Sequence, residues 1–236
     1  MKFENFIVKP SNETAFSAAQ AVAENCAEMY NPLCIYGKTG TGKTHLVHAI
    51  AQIVGKDPEA KVRIMDCHEV LERFLEQLRT DFSECTLNFF NEFAGLDLLV
   101  IEDVQILRGR ESTQELFGEF MEYLTCKNEK KTQVVFTSGG SKWEAAELTG
   151  YVKTHCPYFL ECTIGKPEYE LKAEFVKQRA QICGLPISEA GVDAVAKVTT
   201  NLAGIIGVMK QYERRCEIEK SPPGEEILIK ILKERV

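Results

Sequence analysis

The chain has 236 residues, 44% hydrophobic and 27% charged, which suits a globular protein with one α/β core and a small helical appendage. Lys and Arg number 28 against 35 Asp and Glu, and the net charge of −7 gives no electrostatic footprint for non-specific nucleic-acid binding. Met1 to Phe6 lacks the apolar core of a signal peptide, and no apolar run approaches the roughly 20 residues of a membrane helix, so a cytoplasmic setting without a membrane partner is expected. Nine cysteines lie at irregular spacing with no C-x-x-C. They read as reduced, mostly buried thiols, and the spacing disfavours a redox or metal role.

Residues 1–11 read as extended, with Phe3, Phe6, Ile7 and Val8 apolar and Pro10 closing the segment. Ser11 or Asn12 is placed to cap an alanine-rich helix through about Met29, which Asn31-Pro32 breaks. Leu33 to Tyr36 is a short apolar strand. Gly37-Lys38-Thr39-Gly40-Thr41-Gly42-Lys43-Thr44 follows and fits the phosphate-binding pattern G-x-x-x-x-G-K-[ST]. His45 to Ala51 reads as a helix, so the strand–loop–helix context that the motif requires is present. Glycines let the backbone curl until its N–H groups point at phosphate oxygens, and the helix N-terminus adds partial positive charge. In that geometry Lys43 reaches the β- and γ-phosphates and the Thr44 hydroxyl ligates Mg²⁺. An unliganded glycine turn in a Rossmann-like domain is the alternative; the agreement of motif and context disfavours it.

Gly55 to Pro58 is a turn and Lys61 to Met65 a second strand. Val70, Leu71, Phe74, Leu75 and Leu78 recur at helical spacing, as do Leu87, Phe89, Phe90 and Phe93. Leu96 to Ile101 is a nearly continuous apolar strand, suited to the centre of a parallel sheet, and it ends in Glu102-Asp103. Two acids at a strand end can be solvated groups or helix caps, but about 60 residues after a P-loop, on a buried strand, they look like a Walker B element, which holds Mg²⁺ and orients water. Glu111 to Lys127 is a helix, Gln133 to Thr137 a strand, Lys142 to Thr149 a short helix and Tyr158 to Ile164 a last strand. Strand signals stop at Gly165-Lys166-Pro167. Helices are expected from Glu168 to Ile182 (ended by Gly184 and Pro186), then one capped by Ser188, one capped by Asn201 that runs to about Lys220, and one from Glu225 to Arg235. The expected class is α/β, a P-loop parallel sheet flanked by helices, followed by a small all-helical lid. The expected boundary divides residues 1–166 from 167–236.

The residues resemble the AAA+ domain of the bacterial replication initiator family DnaA over nearly the whole chain. Asn31 to Ile50 looks like that family's N-P-L-x-x-Y-G-x-x-G-x-G-K-T-H-L-x-H-A signature, and Leu98 to Gln105 resembles its L-L-I-D-D-I-Q. Phe3 to Val8 is similar to its F-x-N-F-V-V element. The resemblance implies an ATP or ADP site built from Gly37, Lys38, Thr39, Gly40, Thr41, Gly42, Lys43, Thr44 and His45. It also implies adenine contacts from Phe6, Ile7 and Val8, and Mg²⁺ held through the nucleotide by Thr44, Glu102 and Asp103. As partner it implies another DnaA-like AAA+ replication protein. The chain reaches Val236 without a helix-turn-helix segment, so a single-domain relative with weak direct DNA contact is expected.

The departures from the family pattern fall on the catalytic periphery. Glu102 stands for an aspartate, so Mg²⁺ is expected to sit differently or to be held through water. Gly139 stands for a polar sensor, leaving no side chain there to orient water. His155 aligns with the arginine finger, and a neutral imidazole cannot reproduce a fixed guanidinium charge. Ala203 aligns with the sensor arginine of the lid. Binding with weak or absent hydrolysis follows, in a regulator or adaptor of replication initiation that accepts a finger from a neighbour but cannot donate one. Two alternatives stay open: an active, helicase-loader-like ATPase, and a small-molecule P-loop kinase. The kinase reading is weakened by the lack of an arginine cluster after Thr137. His45 and His48 approach metal-ligand spacing but have no third ligand. Lys127, Lys130 and Lys131 read as a solvated turn. Arg108 and Arg110 follow the acid pair, where DNA contact lacks support from the net charge. Trp143 reads as either an interface anchor or a core plug.

Overall fold

Alternate residues of the central strands point to opposite faces, and both faces are apolar, so each strand needs cover on both sides. The computed structural model describes residues 1–77, 84–140, 150–219 and 225–234. Five strands form one parallel sheet: β1 (Leu33–Tyr36), β2 (Val62–Asp66), β3 (Leu98–Glu102), β4 (Gln133–Ser138) and β5 (Leu160–Thr163), in the order β2-β3-β4-β1-β5. Leu33, Ile35, Leu98, Val100 and Val135 lie on one face, with Cys34, Tyr36, Leu99, Ile101, Val134 and Phe136 on the other. The chain divides into two compact units, the first made of residues 1–6, 12–38 and 43–164 and the second of residues 7–11, 39–42 and 165–236.

In the first unit, α1 (Glu13–Glu24) and α2 (Lys43–Val54) cover one face of the sheet. Ala15, Ala18, Ala19 and Ala23 bring the α1 backbone close to its neighbours. Helix α1 ends five residues before the expected Met29. Asn25 closes it, Ala27 and Tyr30 take left-handed φ of 65° and 51°, and the Ala27 N–H donates to Gln133 Oε1 at 2.9 Å. The buried Gln133 side chain thus captures backbone that the alanine run alone would have kept helical. The other face is an aromatic core under α3 (Cys67–Gln77), α4 (Glu84–Asn91) and α5 (Glu111–Glu122). Phe120 meets Phe74 and Phe93 edge-on and Phe89 and Phe90 at a tilt, at centroid distances of 5.1–5.8 Å. The N-terminal stretch is not wholly extended, because Phe3–Asn5 forms a 3₁₀ turn. Helix α5 passes into a π turn over Tyr123–Lys127, and residues 150–155 are helical (α6). The expected helix from Lys142 to Thr149, with Trp143, lies outside the described residues, as does Leu78.

In the second unit, α7 (Tyr169–Cys183), α8 (Glu189–Val198), α9 (Leu202–Glu219) and α10 (Glu225–Lys233) enclose Val176, Val195, Ile205, Met209, Tyr212 and Ile231. The capping residues act as expected. The Ser188 hydroxyl accepts the Gly191 N–H at 3.0 Å, and Asn201 Oδ1 accepts the Gly204 N–H at 2.8 Å. Gly184 ends α7 in a left-handed conformation.

Truncating Phe120, which is fully buried among four rings, removes ring contacts and leaves a cavity. Phe120→Ala is expected to destabilise the fold by about 3–5 kcal/mol in denaturant titration. The exposed neighbour Glu119→Ala should change stability by no more than about 0.5 kcal/mol.

Candidate phosphate-binding site

Three adjacent strands of the sheet, β3, β4 and β1, deliver the expected site residues at their carboxyl ends. Ligands of open parallel sheets bind at that edge. Strand β1 runs into Gly37, whose N–H donates to the Ser138 carbonyl at the end of β4 at 3.2 Å. Lys43 is the first residue of α2, and its ammonium donates to the carbonyls of Gly37 at 2.7 Å and Lys38 at 3.3 Å. The side chain is buried, and that burial is the main force drawing its pKa below the ordinary lysine value, opposed by the nearby Asp103 and Glu102 charges. The ammonium therefore closes the loop on itself.

Loop residues 39–42 group with the helical unit. The Leu202 N–H donates to the Gly40 carbonyl at 3.0 Å, and Asn201 Nδ2 donates to the Thr39 carbonyl at 3.3 Å. Gly40 and Gly42 have φ of +75° and +112°, a region that favours glycine. A Cβ on Gly40 would also stand 2.9 Å from the Cβ of Ala203. Ala203, expected at the place of a sensor arginine, thus packs against the loop apex with a methyl group.

The acid pair is engaged on both sides. The Thr44 hydroxyl donates to Glu102 Oε2 at 2.6 Å, while His48 Nε2 lies 3.2 Å from Glu102 Oε1. The extra methylene of glutamate therefore still lets its carboxylate reach Thr44. Together the two residues offer oxygen donors of the kind Mg²⁺ takes, with nucleotide phosphates and water completing its shell. No cluster of three or more His, Cys, Asp or Glu that could hold a metal by itself occurs among the described residues. Asp103 has a left-handed φ of 62°, and its N–H donates to Thr137 Oγ1 at 3.0 Å.

Gln105, which has no assigned role in the sequence, bridges the acid pair and the end of β4. Its Nε2 donates to Asp103 Oδ1 at 3.1 Å, and its Oε1 accepts the Gly139 N–H at 2.6 Å. A Cβ on Gly139 would come within 3.2 Å of that carboxamide. The side chain missing from Gly139 leaves room for a polar group that arrives from elsewhere in the chain. An acid followed two residues later by glutamine, together with a glycine ending the neighbouring strand, is the available signal.

Other candidates are dispersed. Phe6 stacks on Phe16 at 5.6 Å and meets the edge of His45 at 5.3 Å, while Ile7 and Val8 belong to the second unit. His45 Nε2 hydrogen-bonds the Lys2 carbonyl at 2.8 Å, so His45 and His48 have different partners. His155 Nδ1 lies 3.2 Å from Glu122 Oε2 on α5, beside Lys127 at 2.9 Å. Lys130 pairs with Asp97 at 2.7 Å, so the short basic run is partly neutralised.

Three comparisons bear on the chain. The family model "Bacterial DnaA ATPAse domain" matches residues 1–163. The chromosomal replication initiator protein DnaA of Deinococcus deserti is 31% identical over 232 residues, covering 98% of this chain and 50% of that protein. The chain thus spans about half the length of the curated relatives it matches. Domain III of the Thermotoga maritima replication initiation protein DnaA superposes with a TM-score of 0.84 at 25% identity, covering 100% of this chain and 96% of that one. A replication initiator DnaA bound to AMPPCP and single-stranded DNA superposes at 0.76 and 25% identity, covering 93% and 67% of the two chains.

Burial is the largest influence on the His45 imidazole and holds its pKa below the ordinary histidine value. Its charging is therefore disfavoured in the folded chain, and acidification through the histidine range should cost stability that is present at neutral pH. NMR titration should show the His45 ring titrating below free histidine, and His45→Gln should flatten the acid limb of the stability profile.

Proposed function

The chain belongs to the bacterial DnaA ATPase-domain family, and on that basis we propose that it binds adenine nucleotide as a regulator or adaptor of bacterial replication initiation, with weak or absent hydrolysis. The observation that carries the reading is Lys43. Its buried ammonium rests on the carbonyls of Gly37 and Lys38 in an otherwise complete glycine loop. Phosphate oxygens supply the same acceptor chemistry and would replace those carbonyls. Gly37 to Thr44 and His45 form the phosphate side of the proposed site, and Phe6, Ile7 and Val8 its adenine side. Thr44, Glu102 and Asp103 hold Mg²⁺ through the nucleotide. A DnaA relative that carries AMPPCP supports an adenine nucleotide as ligand.

Weak turnover is inferred from the groups that would read the γ-phosphate. Gly139 and Ala203 carry no charge, and His155, engaged by Glu122, leaves this chain without a finger to donate to a second copy of itself. An arginine finger alone is worth about 10³–10⁵ in rate. In this reading residues 1–166 form the nucleotide-binding subdomain and 167–236 the lid. The partner is another DnaA-like AAA+ protein in the cytoplasm, and with a net charge of −7 direct DNA contact is weak. Among the described residues no helix is long and apolar enough to cross a membrane.

A second reading, an active helicase-loader-like ATPase, is favoured by Gln105. Its carboxamide sits between Asp103 and Gly139, where it could orient water in place of the missing sensor. A turnover assay separates the two. Hydrolysis slower than about 1 per minute is expected, against a scale of about 10⁻⁴ s⁻¹ for an unaided switch GTPase, with ATP and ADP binding both lost in Lys43→Ala. Faster turnover that Lys43→Ala and Gln105→Ala both abolish would establish the active enzyme instead.

A further inference from the structure

Cys126 and Cys156 lie far apart in sequence and meet in the fold. Cys126 sits in the π turn that ends α5, and Cys156 directly follows α6. The Thr125 hydroxyl lies 3.4 Å from Cys126 Sγ and 3.7 Å from Cys156 Sγ, so both sulfurs sit against the same oxygen. The Thr125 proton is already committed to the Met121 carbonyl at 2.8 Å, so its oxygen receives the thiols through its lone pairs. Cys126 is exposed and Cys156 is 1% exposed. Cys126 and Cys156 are both free thiols.

We propose that Cys126 and Cys156 form a thiol-modification site that a low-molecular-weight disulfide converts to an internal protein disulfide. The exposed Cys126 thiolate attacks one sulfur of the small disulfide. That S–S bond breaks, one thiolate leaves and takes up a proton, and Cys126 carries a mixed disulfide. Cys156 then gives up its proton and attacks the Cys126 sulfur, expelling the second small thiol. Two protein thiols are oxidised by two electrons, and one small disulfide is reduced to two thiols.

The order of attack follows from exposure and chemistry. Cys156 is buried, out of reach of a small disulfide, and acts as the resolving partner once the mixed disulfide stands beside it; burial also pushes its thiol up to about 12, which slows any attack of its own on a free disulfide. The strand cysteines lack this arrangement. Cys34 and Cys162 lie on neighbouring strands, but their side chains enter cores on opposite faces of the sheet. The new bond would tie the π turn to the segment that carries His155. That segment packs closely on α5, since a Cβ on Gly118 would stand 3.4 Å from both the His155 ring and Tyr151. The π turn, an irregularity that frequently accompanies functional sites, is what presents Cys126 there.

The test treats the full chain with oxidised glutathione, alkylates the remaining thiols, and maps the products by peptide mass spectrometry. The expected result is loss of two of the nine alkylatable thiols and one cross-link between the peptides carrying Cys126 and Cys156. Cys126→Ser should abolish both changes. Cys156→Ser should leave a stable glutathione adduct on Cys126. Retention of all nine thiols in the wild-type chain, or an adduct on Cys126 that never resolves to the cross-link, would overturn the proposal. The wild-type map decides even if Cys156→Ser does not fold, and neither result depends on nucleotide binding.

Discussion

A lysine ammonium inside a folded chain must find acceptors, because an unpaired buried charge is among the most expensive features a protein can contain. Lys43 meets that demand by turning onto Gly37 and Lys38, and much of the local architecture follows from it. The chain between those carbonyls and the lysine must double back within a few residues, which the left-handed Gly40 and Gly42 permit. The lysine must stand at the first turn of α2, and α2 must lie against the sheet for that turn to be buried. The parallel order β3-β4-β1 then places Glu102, Asp103 and Gly139 at the same edge of the sheet.

Around this cradle, the substitutions that mark the chain are accommodated without stranding polar groups. Glu102 is longer than the family's aspartate yet shares its carboxylate between Thr44 and His48. Gly139 has no side chain, and its N–H is taken by Gln105. Ala203 brings a methyl group to Gly40, whose carbonyl is satisfied by the Leu202 N–H. In the proposed nucleotide site the loop from Gly37 to Thr44 would still pair with a phosphate chain, while Gly139 would offer no polar side chain and Ala203 no positive charge to the terminal phosphate. A switch between ATP and ADP requires a contact that differs between the two states. The retained groups offer little of that difference.

Much of the fold was legible because its elements carry strong local signals. The nearly continuous apolar run ending in Glu102-Asp103 suited the centre of a parallel sheet, and Ser188 and Asn201 announced their helices by capping chemistry. The glycine loop was legible because its pattern and its strand–helix context are both local. What sequence could not give arises from contacts between distant segments. The early end of α1 depends on Gln133, more than 100 residues later. Gln105 had no visible role until β4 brought Gly139 beside it. The irregular cysteine spacing concealed the meeting of Cys126 and Cys156, because the fold and the π turn create that proximity.

The central claim is that the phosphate cradle has been kept while discrimination at the terminal phosphate has been lost. Calorimetric titration of the full chain with ATP and with ADP, each in the presence of Mg²⁺, tests it most directly. The account predicts saturable binding of both nucleotides with affinities within about tenfold of each other, a difference of about 1.4 kcal/mol or less. Tight binding of ATP with weak binding of ADP, or no binding of either, would contradict it.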